Sequence, residues 1–423
     1  MKNIDKIEKL KKSFEKNRSL ITDALYKDLG KSFEESRLTE YYPVMSEFDY
    51  YIKNLEKWSE PEKVKSIFNF IGCGTILEPE PYGKVLILSP WNYPFNLTFL
   101  PLIGAVAAGN EVTIKPSENS KYSSEIIKKI IEESGLEDIE VILGGVEETK
   151  ELLENKFDYI FFTGSPKVGR EIYMKAAETL TPVTLELGGK SPVIIEDEHC
   201  LEEAVERIIW GKFFNRGQTC IAPDYVYLPA GTSEKFVELT RSYIRKNGDV
   251  GGKIINDEHF ERLEKLLENQ KVIYQNGRVD EDSKNKGKFP FTIVVNPNEE
   301  DPILNEEIFG PILPLVEYES LEKVYWDLRN KPTPLALYIF RSERGNISTR
   351  GLKAGGVCIN GTMLQTLDKK VPFGGVGNSG IGRYHGKYSF DTFTHYKPIF
   401  EGSSLKLSTL NRIVNLVLNK IKK

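Results

Sequence analysis

The stretch Tyr159-Ile-Phe-Phe-Thr-Gly-Ser-Pro-Lys-Val-Gly169 decides the fold. An apolar run suited to a buried strand, Tyr159–Phe162, breaks at Thr163-Gly164-Ser165, and a helix near Lys167–Thr179 follows at once. Ser165 stands where a helix cap is needed, and the segment from Gly164 to Gly169 opens that helix, where free N–H groups and the helix dipole favour a phosphate. The glycines are not spaced as in the usual dinucleotide fingerprint, so taken singly the segment reads equally well as a capped turn.

Its neighbours repeat the pattern. Candidate strands fall at Val85–Leu88, Val112–Ile114, Ile139–Leu143 and Thr184–Glu186, with helices near Leu97–Ala108, Ser120–Ser134 and Glu147–Glu154. Such alternation predicts a parallel, doubly wound sheet covered on both faces. Each strand is followed by an unusual loop: Ser89-Pro90-Trp91-Asn92-Tyr93-Pro94, Lys115-Pro116-Ser117-Glu118, Gly144-Gly145, Thr163-Gly164-Ser165 and Glu186-Leu187-Gly188-Gly189-Lys190. Ligands of open α/β sheets bind at the carboxyl ends of the strands, so these loops should converge on one edge.

A second α/β unit begins beyond Gly188, with Pro192–Ile195 as strand and Leu201–Phe214 as helix, and leads into Gly217-Gln-Thr-Cys220. A lone thiol is most often packing. Here Gly217 permits close backbone approach and Pro223 ends regular structure, which suits a positioned nucleophile. The unit continues through Val226–Leu228, helices near Ser233–Lys246 and Asp257–Asn269, a polar surface loop from Gly277 to Lys288, and strands at Leu335–Phe340 and Val357–Asn360. Glycine-rich Pro372–Gly382 should pack at close range.

Ahead of the first unit, Ile4, Ile7, Leu10 and Phe14, and then Phe48, Tyr51, Leu55 and Trp58, recur at helical spacing and predict packing helices. Lys63–Pro81, with Ile67–Ile71 apolar and Gly72-Cys73-Gly74 as breaker, reads as a strand pair forming an arm, and Phe390–Ile399 as a late strand returning to it. From Leu405 to Lys423 the apolar residues Leu407, Leu410, Val414, Val417 and Ile421 share a stripe among basic residues with no acidic one. A basic amphipathic helix of this kind suits weak contact with a membrane surface or docking on protein.

Composition bounds the rest. With 423 residues, 40% apolar and 28% charged, the chain is an ordinary globular sequence long enough for more than one domain. A net charge of -5 argues against a nucleic-acid partner. Cys73, Cys200, Cys220 and Cys358 are too scattered for a disulfide framework or a zinc-type pair, which fits a reducing cytoplasm. Neither these nor His199, His259, His385 and His395 show metal-site spacing, so no metal is expected.

Together Pro90-Trp91-Asn92, Lys115-Pro-Ser-Glu118, Phe162-Thr-Gly-Ser165, Leu185-Glu-Leu-Gly-Gly-Lys190, Gly217-Gln-Thr-Cys220, Glu307-Ile-Phe309 and Pro372-Phe-Gly-Gly375 resemble the NAD(P)-dependent aldehyde dehydrogenase superfamily. Trp-Asn-Tyr-Pro-Phe and Pro-Phe-Gly-Gly-Val-Gly-Asn-Ser-Gly look most like its class 3, fatty-aldehyde-type branch. The resemblance implies a Rossmann-like doubly wound cofactor domain (1–62 and 82–187), a second α/β catalytic domain (188–382), a small β oligomerisation arm (63–81 and 388–400) and a basic tail (401–423). It implies Cys220 as nucleophile, Glu186 as general base, and Asn92 with the Cys220 N–H as oxyanion donors. Lys115, Ser117 and Glu118 would hold the adenine-side ribose, Gly164, Ser165 and Gly169 the pyrophosphate, and Glu307 with Phe309 the nicotinamide side. Tyr93 and Phe373 would line the substrate side. The implied cofactor is NAD, with NADP as alternative, the substrate a small-molecule aldehyde, medium- to long-chain or aromatic, and the assembly a homodimer. One rival reading is a coenzyme A-acylating relative, disfavoured because that chemistry needs no base such as Glu186, and another is a catalytically silent binding or structural homologue, disfavoured by the intact Cys220, Glu186 and Asn92. Pro166-Lys167, the stretch Thr362–Lys370 and the tail after Pro398 depart from the branch.

Overall fold

The computed structural model describes residues 2–65, 73–249, 251–342, 351–402 and 406–421. Among them run three sheets. The first orders its strands Gly380–Ile381, Val183–Leu187, Tyr159–Gly164, Lys84–Leu88, Glu111–Lys115 and Ile139–Val141, all parallel except the two-residue strand at its edge. Alternation splits their side chains cleanly. Val85, Ile87, Val112, Ile114 and Phe161 pack against the N-terminal helices, while Leu86, Leu88, Ile160, Phe162 and Leu185 pack against Ile172 and Ala176 of the Pro166–Glu178 helix. The stripe Ile7, Leu10, Phe14, Phe48 and Tyr51 is wholly buried, as its spacing predicts.

The second sheet runs Val272–Gln275, Thr292–Val295, Ile312–Tyr318, Tyr225–Pro229, Pro192–Ile195, Ala336–Phe340 and Gly356–Ile359, parallel apart from its first pair. Val193, Val226, Leu313 and Tyr338 face one core, Ile194, Tyr227, Ile312 and Ile339 the other. The third sheet joins Glu62–Lys63, Gly74–Pro81 and Thr394–Glu401 antiparallel, the arm that the breakers at 72–74 suggest. The expected apolar segment Ile67–Ile71 lies outside the described residues.

Several elements differ from the sequence reading. The strand expected over Ile139–Leu143 ends at Val141, because Leu143 is already at the surface. Val272–Gln275, Thr292–Val295 and Ile312–Tyr318 carry too little periodic signal to be read as strands. Pro314 sits inside the last of these, where a proline normally argues against a central strand. Glu281–Asn285 forms one helical turn within the polar loop. Phe390 belongs to a short helix, Lys387–Thr392, and the returning strand starts only at Thr394. The tail is helical over Leu407–Ile421.

The Lys387–Thr392 helix packs on Asn96–Ala108 through Gly104, where an added Cβ would lie 2.6 Å from Ser389 Cβ and 2.9 Å from its carbonyl carbon. Gly104→Val should therefore lower stability by about 2 kcal/mol, the usual cost of overpacking, in denaturant titration. An unchanged midpoint would refute this account of the contact.

Candidate active site

The carboxyl ends of the first sheet and a loop of the second enclose a crevice of about 250 Å³. From the first sheet come Trp91 and Asn92 after Lys84–Leu88, Thr163, Gly164 and Ser165 at the end of Tyr159–Gly164, and Glu186 near the end of Val183–Leu187. The second contributes Cys220, from the loop between the Leu201–Phe213 helix and the Tyr225–Pro229 strand, with Glu307 and Phe309 from the loop before Ile312. Phe373 and Tyr384 complete this wall.

The thiol loop is shaped by its backbone. Asn215 and Arg216 adopt φ 47° and 56°, uncommon for residues with side chains, and Gly217 continues at 76°. At Gly217 a Cβ would lie 2.4 Å from the Gly310 carbonyl oxygen, the close approach the glycine suggests. The strained turn is pinned from several sides. Arg216 donates to the Phe289 carbonyl at 2.9 Å and pairs with Asp249 at 2.7 Å. Gln218 donates to Asn215 and Lys253 carbonyls and accepts from the Ile255 N–H. Asn92 is fastened to the same loop, its Nδ2 donating to the Gln218 carbonyl at 3.1 Å and its own carbonyl accepting from Asn215 Nδ2 at 2.8 Å.

Three acidic groups share this space. Burial pushes the Cys220 thiol well up, with the charges of Glu307 and then Glu186 adding to it. Desolvation holds Glu186 far above the usual carboxylate range, and burial with the nearby Asp224 charge moves Glu307 up to about 8. Both Glu186 oxygens, Glu307 Oε1 and Thr163 Oγ1 are sealed and have no hydrogen-bond partner among the described residues. Buried polar atoms are rarely left so. Four such atoms on residues lining one crevice fit a polar ligand with donors and acceptors of its own.

The Glu307 loop is clamped from behind. Asp224 accepts from the Ile308 N–H at 3.2 Å and pairs with Lys190 at 2.8 Å, Lys190 also donates to the Glu306 carbonyl, and Arg262 donates to the carbonyls of Glu307 and Ile308. Trp91 packs between the His259 ring at 5.1 Å and the Phe309 ring at 5.4 Å. Trp91, His259 and Arg262 line the crevice without having been singled out as site residues. His259 and Arg262, one turn apart on the Asp257–Leu267 helix, carry a signal only once a partner loop is known.

Other expected positions lie outside this lining. Lys115 is buried, donates to the Pro116 carbonyl and stands 3.7 Å from Glu118. Burial draws its ammonium below the ordinary lysine range against the pull of Glu118 and Glu148. Ser117 caps the turn at Asn119. Ser165, which does line the crevice, caps its helix at Val168, while Gly169 is a packing contact, a Cβ there meeting Leu187 Cδ2 at 2.5 Å. Tyr93 is buried beneath the loop, its hydroxyl 2.6 Å from Thr219 Oγ1.

Sequence and structure comparisons place the chain in a family. The model of the "Aldehyde dehydrogenase family" matches residues 3–399. A 4,4'-diaponeurosporen-aldehyde dehydrogenase of Staphylococcus aureus is 42% identical over 416 residues, 95% of this chain and 90% of that protein. The rat enzyme "Aldehyde dehydrogenase, dimeric NADP-preferring" is 40% identical over 402 residues, covering 93% and 88%. Among solved structures, the "Substrate bound state of Staphylococcus Aureus AldH" superposes with TM-score 0.90 at 40% identity over 96% of this chain and 90% of that one. A Mycobacterium tuberculosis aldehyde dehydrogenase complexed with NAD+ gives TM-score 0.84 at 25% identity, covering 96% and 86%. The chain belongs to the aldehyde dehydrogenase family.

Proposed function

We propose that this chain oxidises a medium- to long-chain or aromatic aldehyde to its carboxylic acid with NAD, or with NADP as alternative. Cys220 is the nucleophile, Glu186 the general base, and Asn92 Nδ2 with the Cys220 N–H the oxyanion donors. The observation that carries the reading is the meeting of Cys220, Glu186 and Asn92 in one crevice whose sealed polar atoms lack partners among the described residues.

The residues fit a dinucleotide. Gly164, Ser165 and the positive end of the Pro166–Glu178 helix dipole would hold the pyrophosphate. Glu307 and Phe309 would hold the nicotinamide side, and Lys115, Ser117 and Glu118 the adenine ribose, where Glu118 disfavours an extra phosphate and Lys115 counters it. When bound, the nicotinamide supplies the hydride acceptor.

The chain's own groups do the rest. The Cys220 thiolate forms a C–S bond to the aldehyde carbon, and the carbonyl electron pair moves onto oxygen, where two positioned N–H donors stabilise it. As that oxygen reforms its double bond, hydride leaves and a thioester remains on Cys220. Glu186 then takes a proton from water, the hydroxide adds, and C–S cleavage returns the thiolate and releases the acid.

In its homodimer the Gly74–Pro81 and Thr394–Glu401 strands form the contact between subunits. The Leu407–Ile421 helix, with Leu407 and Leu416 largely exposed among basic residues, makes weak contact with an anionic membrane surface. No described helix is long and apolar enough to cross a membrane.

Measurements of turnover, thiol labelling and vesicle binding test this function. Cys220→Ala should abolish aldehyde-dependent cofactor reduction, and Glu186→Gln should accumulate an acylated chain seen by intact mass. Sustained wild-type turnover only with coenzyme A would select the acylating alternative instead. Without cofactor, Cys220 alkylation by iodoacetamide should climb with pH without a plateau near neutrality, and Glu307→Gln should move the curve to lower pH by removing a like charge. A plateau below pH 7 contradicts this. Finally, the full chain should sediment with anionic vesicles more than with zwitterionic ones, and a chain ending at Gly402 should not. Equal sedimentation of the two chains removes the tail from the account.

A further inference from the structure

Beyond the residues lining the crevice, the Ala336–Phe340 and Gly356–Ile359 strands run parallel with Tyr338 beside Cys358 and Ala336 beside Gly356. Tyr338 belongs to an apolar cluster that has Cys220, Cys358, Met363 and Phe373 packed at its margin. The Tyr338 hydroxyl donates to the carbonyl of Ile221, next to the thiol, at 2.6 Å. It also receives the Met363 N–H at 3.3 Å and Gln365 Nε2 at 3.4 Å.

This hydroxyl has one proton, already given to Ile221, so Gln365 must turn its NH2 group toward it and its carbonyl away. That carbonyl oxygen, Oε1, is sealed from solvent and has no donor among the described residues. The side-chain stem rests on Gly356, where a Cβ would lie 3.4 Å from Gln365 Cγ. Met363 adopts φ 62°, a conformation costly for a residue with a side chain, in the turn that brings both residues to Tyr338. A strained turn thus delivers an unsatisfied acceptor to an apolar region two hydrogen bonds from the residue after the thiol. Such an acceptor is unfavourable until a ligand supplies a donor.

We propose that Gln365 is a specificity-determining residue, its side-chain carbonyl accepting a hydrogen bond from a hydroxyl borne by the aldehyde. The chain then prefers a hydroxylated aldehyde to a hydrocarbon one of equal size. The inference deepens the proposed function and rests on Cys220 as the reacting group.

The test compares 4-hydroxybenzaldehyde with 4-methylbenzaldehyde, in which a methyl replaces the hydroxyl at nearly equal size. For the wild type kcat/KM should favour the hydroxyl by about tenfold, the effect of leaving one buried acceptor unpaired. In Gln365→Met the ratio should fall to about one. The variant's Tm should not fall, because an orphaned acceptor has gone. Calorimetric binding of both aldehydes to the Cys220→Ala protein, with and without Gln365→Met, reads the same preference without turnover. A hydroxyl preference in binding that disappears with the carboxamide supports Gln365 even where the wild type reduces no cofactor, a result that refutes the catalytic reading instead. A ratio unchanged by the substitution, in turnover or in binding, overturns the role of Gln365 and assigns its oxygen to water.

Discussion

The buried ammonium of Lys31 ties the site together. It donates to Glu40 Oε1 at 2.7 Å and to the Asn92 carbonyl at 2.9 Å, and lies 3.8 Å from the centre of the Tyr93 ring, with both charged side chains wholly buried. The second Glu40 oxygen accepts the N–H groups of Phe95 and Asn96, so one carboxylate fixes the start of the helix after Asn92. Burial raises Glu40 above the usual carboxylate range and Lys31 opposes that rise. An ion pair this deep seldom adds net stability over a well-packed apolar pair. What it supplies is register. The Asn92 carbonyl receives Lys31 from the N-terminal helices and Asn215 from the thiol loop, and two elements far apart in sequence thereby fix the same peptide.

That anchoring matters because the groups it brings together repel one another. A thiol and two carboxylates in a low-dielectric space cannot all ionise, and burial acts on each in the same direction. Left to relax, the loops would separate and hydrate them. The strained turn at Asn215 and Arg216 and the clamp of Asp224, Lys190 and Arg262 on the Glu307 loop oppose that separation. Backbone strain of this kind persists only where surrounding contacts over-determine it.

Legibility followed the strength of local signal. The first sheet was readable because each strand ends in glycine, proline or a capping residue and is followed by a helix of correct period, and even the arm announced itself through Gly72–Gly74. The second sheet was half readable. Thr292–Val295 is a four-residue apolar run with no periodicity to separate strand from buried helix, and Pro314 in a central strand works against its own assignment. In the crevice, the loops carrying Cys220, Glu186 and Asn92 were legible as unusual, and the family resemblance singled out those three residues within them. Trp91, His259 and Arg262 were not singled out, because their meaning lies in contacts across the fold. Lys115 and Glu118 pair with each other away from the crevice lining, a placement that only the path of the loops determines.

The glycine-rich Pro372–Gly382 stretch shows why composition can carry information that periodicity cannot. Gly380 pairs with Glu186 at the edge of the first sheet, and a Cβ there would lie 2.3 Å from the Leu185 carbonyl oxygen. At Gly374 a Cβ would sit 3.1 Å from Glu186 Oε1 and 2.5 Å from the Gly382 carbonyl oxygen. Side chains at these positions would force the stretch away from the strand or crowd the carboxylate. Glycine leaves Glu186 facing backbone, with neither oxygen hydrogen-bonded to another described residue. A buried carboxylate already satisfied by protein donors would be a weak base with its lone pairs engaged. Keeping Glu186 desolvated and without a hydrogen-bond partner among the described residues raises its proton affinity, as the proposed base for water requires, and that condition is set by the absence of side chains on the opposing strand.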